Sequence, residues 1–321
     1  MRAPEFWQRG GLLPCLLTPA AAVYAAVTAR RVARPGWRAP VPVICCGNAT
    51  AGGAGKTTLA LELGARLAGR RVGFLTRGHG GRVHGVHRVD PSCDTAALVG
   101  DEALLLAACA PTWVAADRAA GARAAVAAGA GVLVMDDGLQ NPSLAKDFSI
   151  LVIDGGTGFG NGRVIPAGPL REPVAAAAAR CAAAVLIGAD RSHAREALPP
   201  GLPVLCARLQ QQGTVDLAGL RVFAFAGIGI PDKFFAGLRS AGAVLAGTES
   251  FPDHHPYTEA DINGVLARAA AAEALPVTTP KDAVRLSPGL RARIRVAGVR
   301  LVWDNPAALD MVLNQVLGLP A

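Results

Sequence analysis

From Val41 onward, short apolar runs alternate with longer stretches whose apolar residues recur every three or four positions. The runs at 41–46 (VPVICC), 71–76 (RVGFLT), 112–115 (TWVA), 131–135 (GVLVM) and 148–153 (FSILVI) are short and rich in branched side chains. Such runs predict strands buried on both faces, as in a parallel sheet. Helices are expected over 57–68, about 100–110 and 117–129. Residues 78–90, with their glycines and histidines, read as a loop or hairpin, and 154–173 as a long Gly- and Pro-rich loop. Strands alternating with helices in this way imply a doubly wound parallel sheet. The polar stretch Leu209-Gln210-Gln211-Gln212-Gly213 reads as a boundary or linker. A second, smaller α/β run starts at Arg221 and ends in a helix near 306–318. The expected organisation is an N-terminal segment 1–38, a nucleotide-binding domain 39–212 and a smaller domain 213–321.

The segment 12–29 (LLPCLLTPAAAVYAAVTA) carries no charge, and Arg2, Arg9, Arg30, Arg31, Arg34 and Arg38 flank it. Pro14 and Pro19 interrupt it, and it is short for a span. The pattern predicts a helix lying on an anionic lipid surface with guanidinium groups at headgroup level. Composition agrees on an anionic partner: the formal net charge is +8. The arginines are scattered and few aromatics accompany them, which argues against nucleic acid. The seven cysteines form no C-x-x-C pair and several sit in apolar runs, so they read as reduced thiols.

The chemistry begins at Thr50-Ala51-Gly52-Gly53-Ala54-Gly55-Lys56-Thr57, between a predicted strand and a predicted helix. This is a P-loop, although Thr50 stands where the first glycine is usual. Glycines let backbone N–H groups face phosphate oxygens, and a helix N-terminus adds its positive end. Lys56 is placed to reach the β- and γ-phosphates of ATP, the Thr57 hydroxyl to hold Mg2+, and Thr58 to close the cradle. Asp136 and Asp137 end an apolar strand, where a second Mg2+-ordering carboxylate belongs. On spacing alone Asp101-Glu102 is an ordinary acidic first turn of a helix. His254, in Asp253-His254-His255, is open between a structural and a chemical role. A guanine-nucleotide switch would need Asn/Thr-Lys-x-Asp, and Thr279-Pro280-Lys281-Asp282 has the wrong spacing. A non-catalytic scaffold would not need Lys56-Thr57 and Asp136-Asp137 intact.

Taken in order, these motifs resemble the tetraacyldisaccharide 4′-kinases of lipid A biosynthesis. The resemblance is carried by Pro4-Glu5-Phe6-Trp7, Val43 to Thr57, Thr76-Arg77-Gly78, Gly100-Asp101-Glu102, Asp117-Arg118 and Asp136 to Gln140. It continues through Asn161 to Glu172, Ala226 to Gly229, Phe251 to His255 and Thr279 to Val284. It implies transfer of the γ-phosphoryl group of ATP to the 4′-hydroxyl of an acylated glucosamine disaccharide 1-phosphate. It also implies a P-loop domain joined to a smaller α/β domain by a short β linker, at the cytoplasmic face of the bacterial inner membrane. Asp101 and His254 would together accept the sugar proton. Arg77, Arg118 and Arg171 would lie near the phosphates and headgroup, with Glu102 and Gln140 also on the substrate. The sequence departs from the family pattern at Leu139, Asn141, Thr58 and Pro280. Asn141 cannot titrate as the usual histidine there would.

Overall fold

The computed structural model describes residues 4–213 and 217–317. Arg2 of the basic flank and residue 318 of the expected final helix lie outside them. The strands are β1 (Val43–Gly47), β2 (Val72–Thr76), β3 (Val86–Arg88), β4 (Thr112–Ala115), β5 (Val132–Asp136) and β6 (Phe148–Asp154). They continue with β7 (Ala183–Ile187), β8 (Val204–Gly213), β9 (Arg221–Ala226), β10 (Val244–Ser250), β11 (Leu275–Thr278) and β12 (Arg295–Trp303). All twelve form one sheet in the order β10-β9-β11-β12-β8-β7-β6-β1-β5-β2-β4-β3. It is mostly parallel; β3 with β4 and β12 with β8 are its antiparallel pairs.

The strands form where the sequence predicts because both faces are covered. Successive residues of β1, β5 and β6 point alternately into two apolar clusters. Ile44, Val134 and Ile150 enter one with Leu59, Leu63 and Phe74. Val43, Leu133 and Leu151 enter the other with Met135, Leu139 and Leu170. Fully burying side chains of this size contributes about 1.5–3 kcal/mol each before ordering costs. All seven cysteines are free thiols.

Two expectations are corrected. The Gln-rich stretch is not a linker outside the sheet: it is the second half of β8, paired from Ala207 to Gly213 with Trp303 back to Ala297. Residues 78–90 are loop only in part, since β3 pairs antiparallel with β4 at the sheet edge. The smaller run brings its own strands β9 to β11 and apolar clusters on both faces, led by Val222, Phe234 and Leu238 on one side and Phe225, Ile262 and Val265 on the other. The chain then returns: Leu301, Trp303, Leu309 and Leu313 pack into the cluster around Leu59 and Phe74.

At the N-terminus the uncharged segment forms two helices, Leu12–Leu16 and Thr18–Val32. No helix among the described residues is long and apolar enough to cross a membrane. Leu12, Leu16, Val23 and Val27 are exposed. The segment is held to the 160s loop: Trp7 Nε1 donates to Pro166 O at 3.1 Å, and Arg163 Nη1 donates to Thr18 Oγ1 at 2.7 Å.

Candidate active site

Strand order builds the first half of the site. β1 lies between β6 and β5, and its register pairs Cys46 with Asp136. The loop leaving β1 therefore passes beside the end of β5. Gly55, at φ 89°, caps helix Lys56–Arg66. A Cβ there would meet Ile187 Cδ1 at 2.7 Å, so both conformation and space require glycine. Around Gly52 and Gly53 a Cβ would meet nothing within 4 Å, which leaves the inside of the loop open for phosphate. Asn48 answers the departure at Thr50. Its Nδ2 donates to Thr50 Oγ1 and Gly52 O, and its Oδ1 accepts from Lys56 Nζ at 3.2 Å. The loop before Arg171 braces the cradle from outside, with Ala51 N donating to Pro169 O at 2.7 Å and Arg171 N to Ala49 O at 2.7 Å.

The two aspartates at the end of β5 differ. Asp136 is buried; its Oδ2 accepts from Thr57 Oγ1 at 2.8 Å, and its Oδ1 has no hydrogen-bond partner among the described residues. Burial, with Glu102 adding its charge, pushes its pKa up to about 7 against the pull of Lys56 and Thr57. Asp137 turns out of the strand at φ 52°. Its carboxylate meets Arg171 Nη1 at 2.9 Å and Lys56 Nζ at 3.7 Å. Burial opposes ionisation there, but Lys56 and Arg171 outweigh it and hold the carboxyl below the usual range.

Gln140 works inward. Its Nε2 donates to Asn48 O at 2.9 Å and Glu172 Oε1 at 2.8 Å, while its Oε1 accepts from Arg171 at 3.5 Å. Glu172 is in turn held on both oxygens by Arg180. Arg118 is buried, donates through Nη1 to Ala115 O, and leaves Nε without a hydrogen-bond partner among the described residues. Burial lowers its pKa to about 10, against the nearby charge of Asp137. Arg77 is exposed at the end of β2. Asn141 does local work: its Oδ1 accepts from the backbone and hydroxyl of Ser143.

The second half of the site crosses between the two runs of the chain. Asp101, buried at the start of helix Asp101–Ala107, meets His254 Nδ1 at 3.0 Å through its Oδ2. The same oxygen accepts from Arg285 Nη2 at 2.5 Å and Nε at 3.1 Å, and Lys281 Nζ stands 3.9 Å away. Lys281 also pairs with Glu102 at 3.3 Å. Burial alone would raise the Asp101 pKa, but His254, Lys281 and Arg285 hold it well below the carboxylate range. His254 sits at φ 58° with its backbone N donating to Gly227 O at 3.1 Å. Away from this cluster, Lys233 Nζ meets Asp154 Oδ2 at 2.6 Å between the same two runs.

Lys56, Thr57, Asp136, Asp137, Gln140 and Arg171 thus form one bonded group and Asp101, Glu102 and His254 belong to a second, with the charge of Glu102 acting on Asp136; Arg77 stands exposed beyond β2. Sequence reading missed Asn48, Glu172, Lys281 and Arg285 as members. Asn48, Glu172 and Lys281 lay within the runs that carry the resemblance; Arg285 had no local signal, its partner Asp101 being 184 positions away.

Comparison with known proteins places the chain among relatives. The family model described as tetraacyldisaccharide-1-P 4′-kinase matches residues 13–318. A tetraacyldisaccharide 4′-kinase of Gluconacetobacter diazotrophicus is 59% identical over 99% of this chain and 98% of its own. That of Rhodospirillum centenum is 56% identical over 99% and 97%. Among solved structures, that of LpxK from Aquifex aeolicus in complex with ATP superposes with a TM-score of 0.77 at 24% identity, covering 95% of this chain and 100% of that one. The chain belongs to the tetraacyldisaccharide-1-P 4′-kinase family.

Proposed function

We propose that this protein transfers the γ-phosphoryl group of ATP to the 4′-hydroxyl of a tetraacyldisaccharide 1-phosphate, giving the 1,4′-bisphosphate of lipid A biosynthesis. Full-length relatives of that name at 50–59% identity support the activity. The observation that carries the reading is the Asp101–His254 pair standing beside a complete phosphate cradle. Residues 39–212 act as the nucleotide half and 213–321 as the half that brings the histidine. Residues 1–38 face an anionic membrane, so that the enzyme works as a peripheral protein at the cytoplasmic face of the inner membrane.

Residues 50–58 hold the triphosphate, with Lys56 swinging from Asn48 and Asp137 to the β- and γ-oxygens. The donor set fits Mg2+. Asp136 keeps a buried carboxylate oxygen without a partner, beside the Thr57 hydroxyl. Mg2+ is commonly held by one or two protein oxygens, the rest coming from phosphates and water. When bound, the metal supplies charge neutralisation at the phosphates. Asp137 holds Arg171 through one oxygen, and its other oxygen would be free to join the metal's donor set once Lys56 moves to the phosphates. Arg171, Arg77 and Arg118 supply positive field for the two phosphorylated substrates, with Glu102 at the substrate side. Asp101 orients the imidazole through Nδ1, and the pair accepts the proton of the attacking sugar hydroxyl.

The test is incubation with ATP, Mg2+ and the disaccharide 1-phosphate lipid in detergent. A bis-phosphorylated lipid from the wild type, and at least tenfold less from Lys56→Ala, supports the reading. No product from the wild type refutes it.

A further inference from the structure

We infer that Arg285 is a positioning residue for this reaction: its guanidinium fixes both the charge and the placement of the Asp101–His254 pair. The inference rests on the proposed function and extends it to a residue outside the cradle. The Arg285 side chain is only 5% exposed, as buried as the carboxylates it serves. Nε and Nη2 both reach Asp101 Oδ2, while Nη1 donates to Gly227 O at 2.9 Å and to Asp282 Oδ1 at 2.9 Å. Gly227 O also accepts the backbone N–H of His254. One planar fork therefore holds both ends of the histidine: its ring through Asp101, and its main chain through Gly227.

Asp282 anchors the fork. It is fully buried and also accepts from Gly227 N, Tyr257 Oη and Thr279 Oγ1. The other charged or titratable groups facing the pair are fewer and looser. Lys281 is shared with Glu102 and is 24% exposed. Asp253 lies 3.8 Å from His254 Nε2, and the His79 ring centroid is 5.8 Å from that of His254. Arg285 is the sequestered cation of the group. Without it, Asp101 keeps only Lys281 as a permanent positive neighbour, and a buried carboxylate with too little positive charge takes up a proton.

The experiment measures kcat and KM for ATP and lipid across pH for the wild type, Arg285→Gln and Arg285→Lys. In Arg285→Gln, kcat is expected to fall roughly 10- to 100-fold with the KM for ATP nearly unchanged. The acid limb of the kcat profile, which belongs to the pair together, should move up by about one pH unit. The sign follows from charge: removing a cation makes protonation of the pair easier. Arg285→Lys keeps the charge and loses the fork, so it should lower kcat while leaving the acid limb in place. Loss of rate in Arg285→Gln with an unmoved limb means a merely structural role and overturns the inference, as does wild-type kcat in both variants. If Arg285→Gln does not fold by circular dichroism, Arg285→Lys decides alone: lowered kcat with an unmoved limb, an unchanged KM for ATP and a wild-type melting temperature supports the inference, and wild-type kcat, or a kcat loss tracked by a fall in melting temperature, overturns it. An inactive wild type would instead sink the proposed function.

Discussion

At the scale of single residues, Asp136 is where stability and chemistry conflict. Its carboxyl titrates near 7 in the folded chain because it is buried beside Glu102, whereas an unfolded aspartate titrates near ~3.9. Between those values the folded state holds a proton that the unfolded state lacks. The associated stability is present below about pH 4 and is lost as the pH rises through about 7. Each tenfold in proton affinity is worth about 1.4 kcal/mol. Asp136→Asn should therefore melt higher than the wild type without ligand above about pH 7, with a gap that narrows toward acid, while phosphoryl transfer collapses. A melting temperature below wild type across the whole pH range would contradict this reading of the site. The residues legible in the sequence were those carried by a local motif, even where their partners are distant. Lys56, Thr57, Asp136 and Asp137 follow from a strand, a glycine-rich turn and a helix in succession. Asn48 bonds within its own loop and Glu172 pairs with Arg180 in the same stretch of chain, but neither carries a motif of its own; Arg285 bonds Asp101 across 184 positions, and no spacing rule connects them. Asp101 and His254 were ambiguous alone, and only the family resemblance paired them.

At the scale of elements, helix Asp101–Ala107 and the loop 251–257 meet through one hydrogen-bonded pair. Gly100 sets the start of that helix at φ 89°, and a Cβ there would lie 2.6 Å from His79 O. If Asp101 and His254 act as a unit, each single alanine variant should lose roughly 10²–10⁴-fold in kcat, and the double variant little more than the worse single. Steady-state kinetics on the four proteins checks this, and multiplicative losses would show independent roles. Strands β1, β2, β4, β5 and β6 were readable because both faces are buried, which forces continuous apolar runs; β7 is as buried but begins in an alanine run that offers no strand signal. β3 and the end of β8 were not. Residues of β3 are exposed or half-buried, and Gln210, Gln211 and Gln212 sit in a strand whose partner is about 90 positions away. Neither carries the apolar pattern by which a strand announces itself.

At the scale of the whole molecule, exposed Leu12, Leu16, Val23 and Val27 share the N-terminal helices with Arg30 and Arg31. Each leucine taken out of water at a lipid surface gains about 2 kcal/mol, or more than tenfold in binding. The double variant Leu12→Ser/Leu16→Ser should sediment poorly with phosphatidylglycerol vesicles while keeping its melting temperature. Equal sedimentation of variant and wild type would move the attachment to another surface. The β8–β12 pairing has a further consequence, for synthesis. The nucleotide half begins the chain, yet Leu301, Trp303, Leu309 and Leu313 complete its core. A ribosome building from the N-terminus cannot release that half as a finished unit, since the intervening run must emerge first. Nascent chains arrested before β12 should have an open β8 edge and be cleaved readily by protease in both halves, becoming resistant only when the final helix clears the exit tunnel. Early resistance of residues 39–212 would show that the first core closes without its last strand. The last strand of the sheet thus seals the core that its first strand opened.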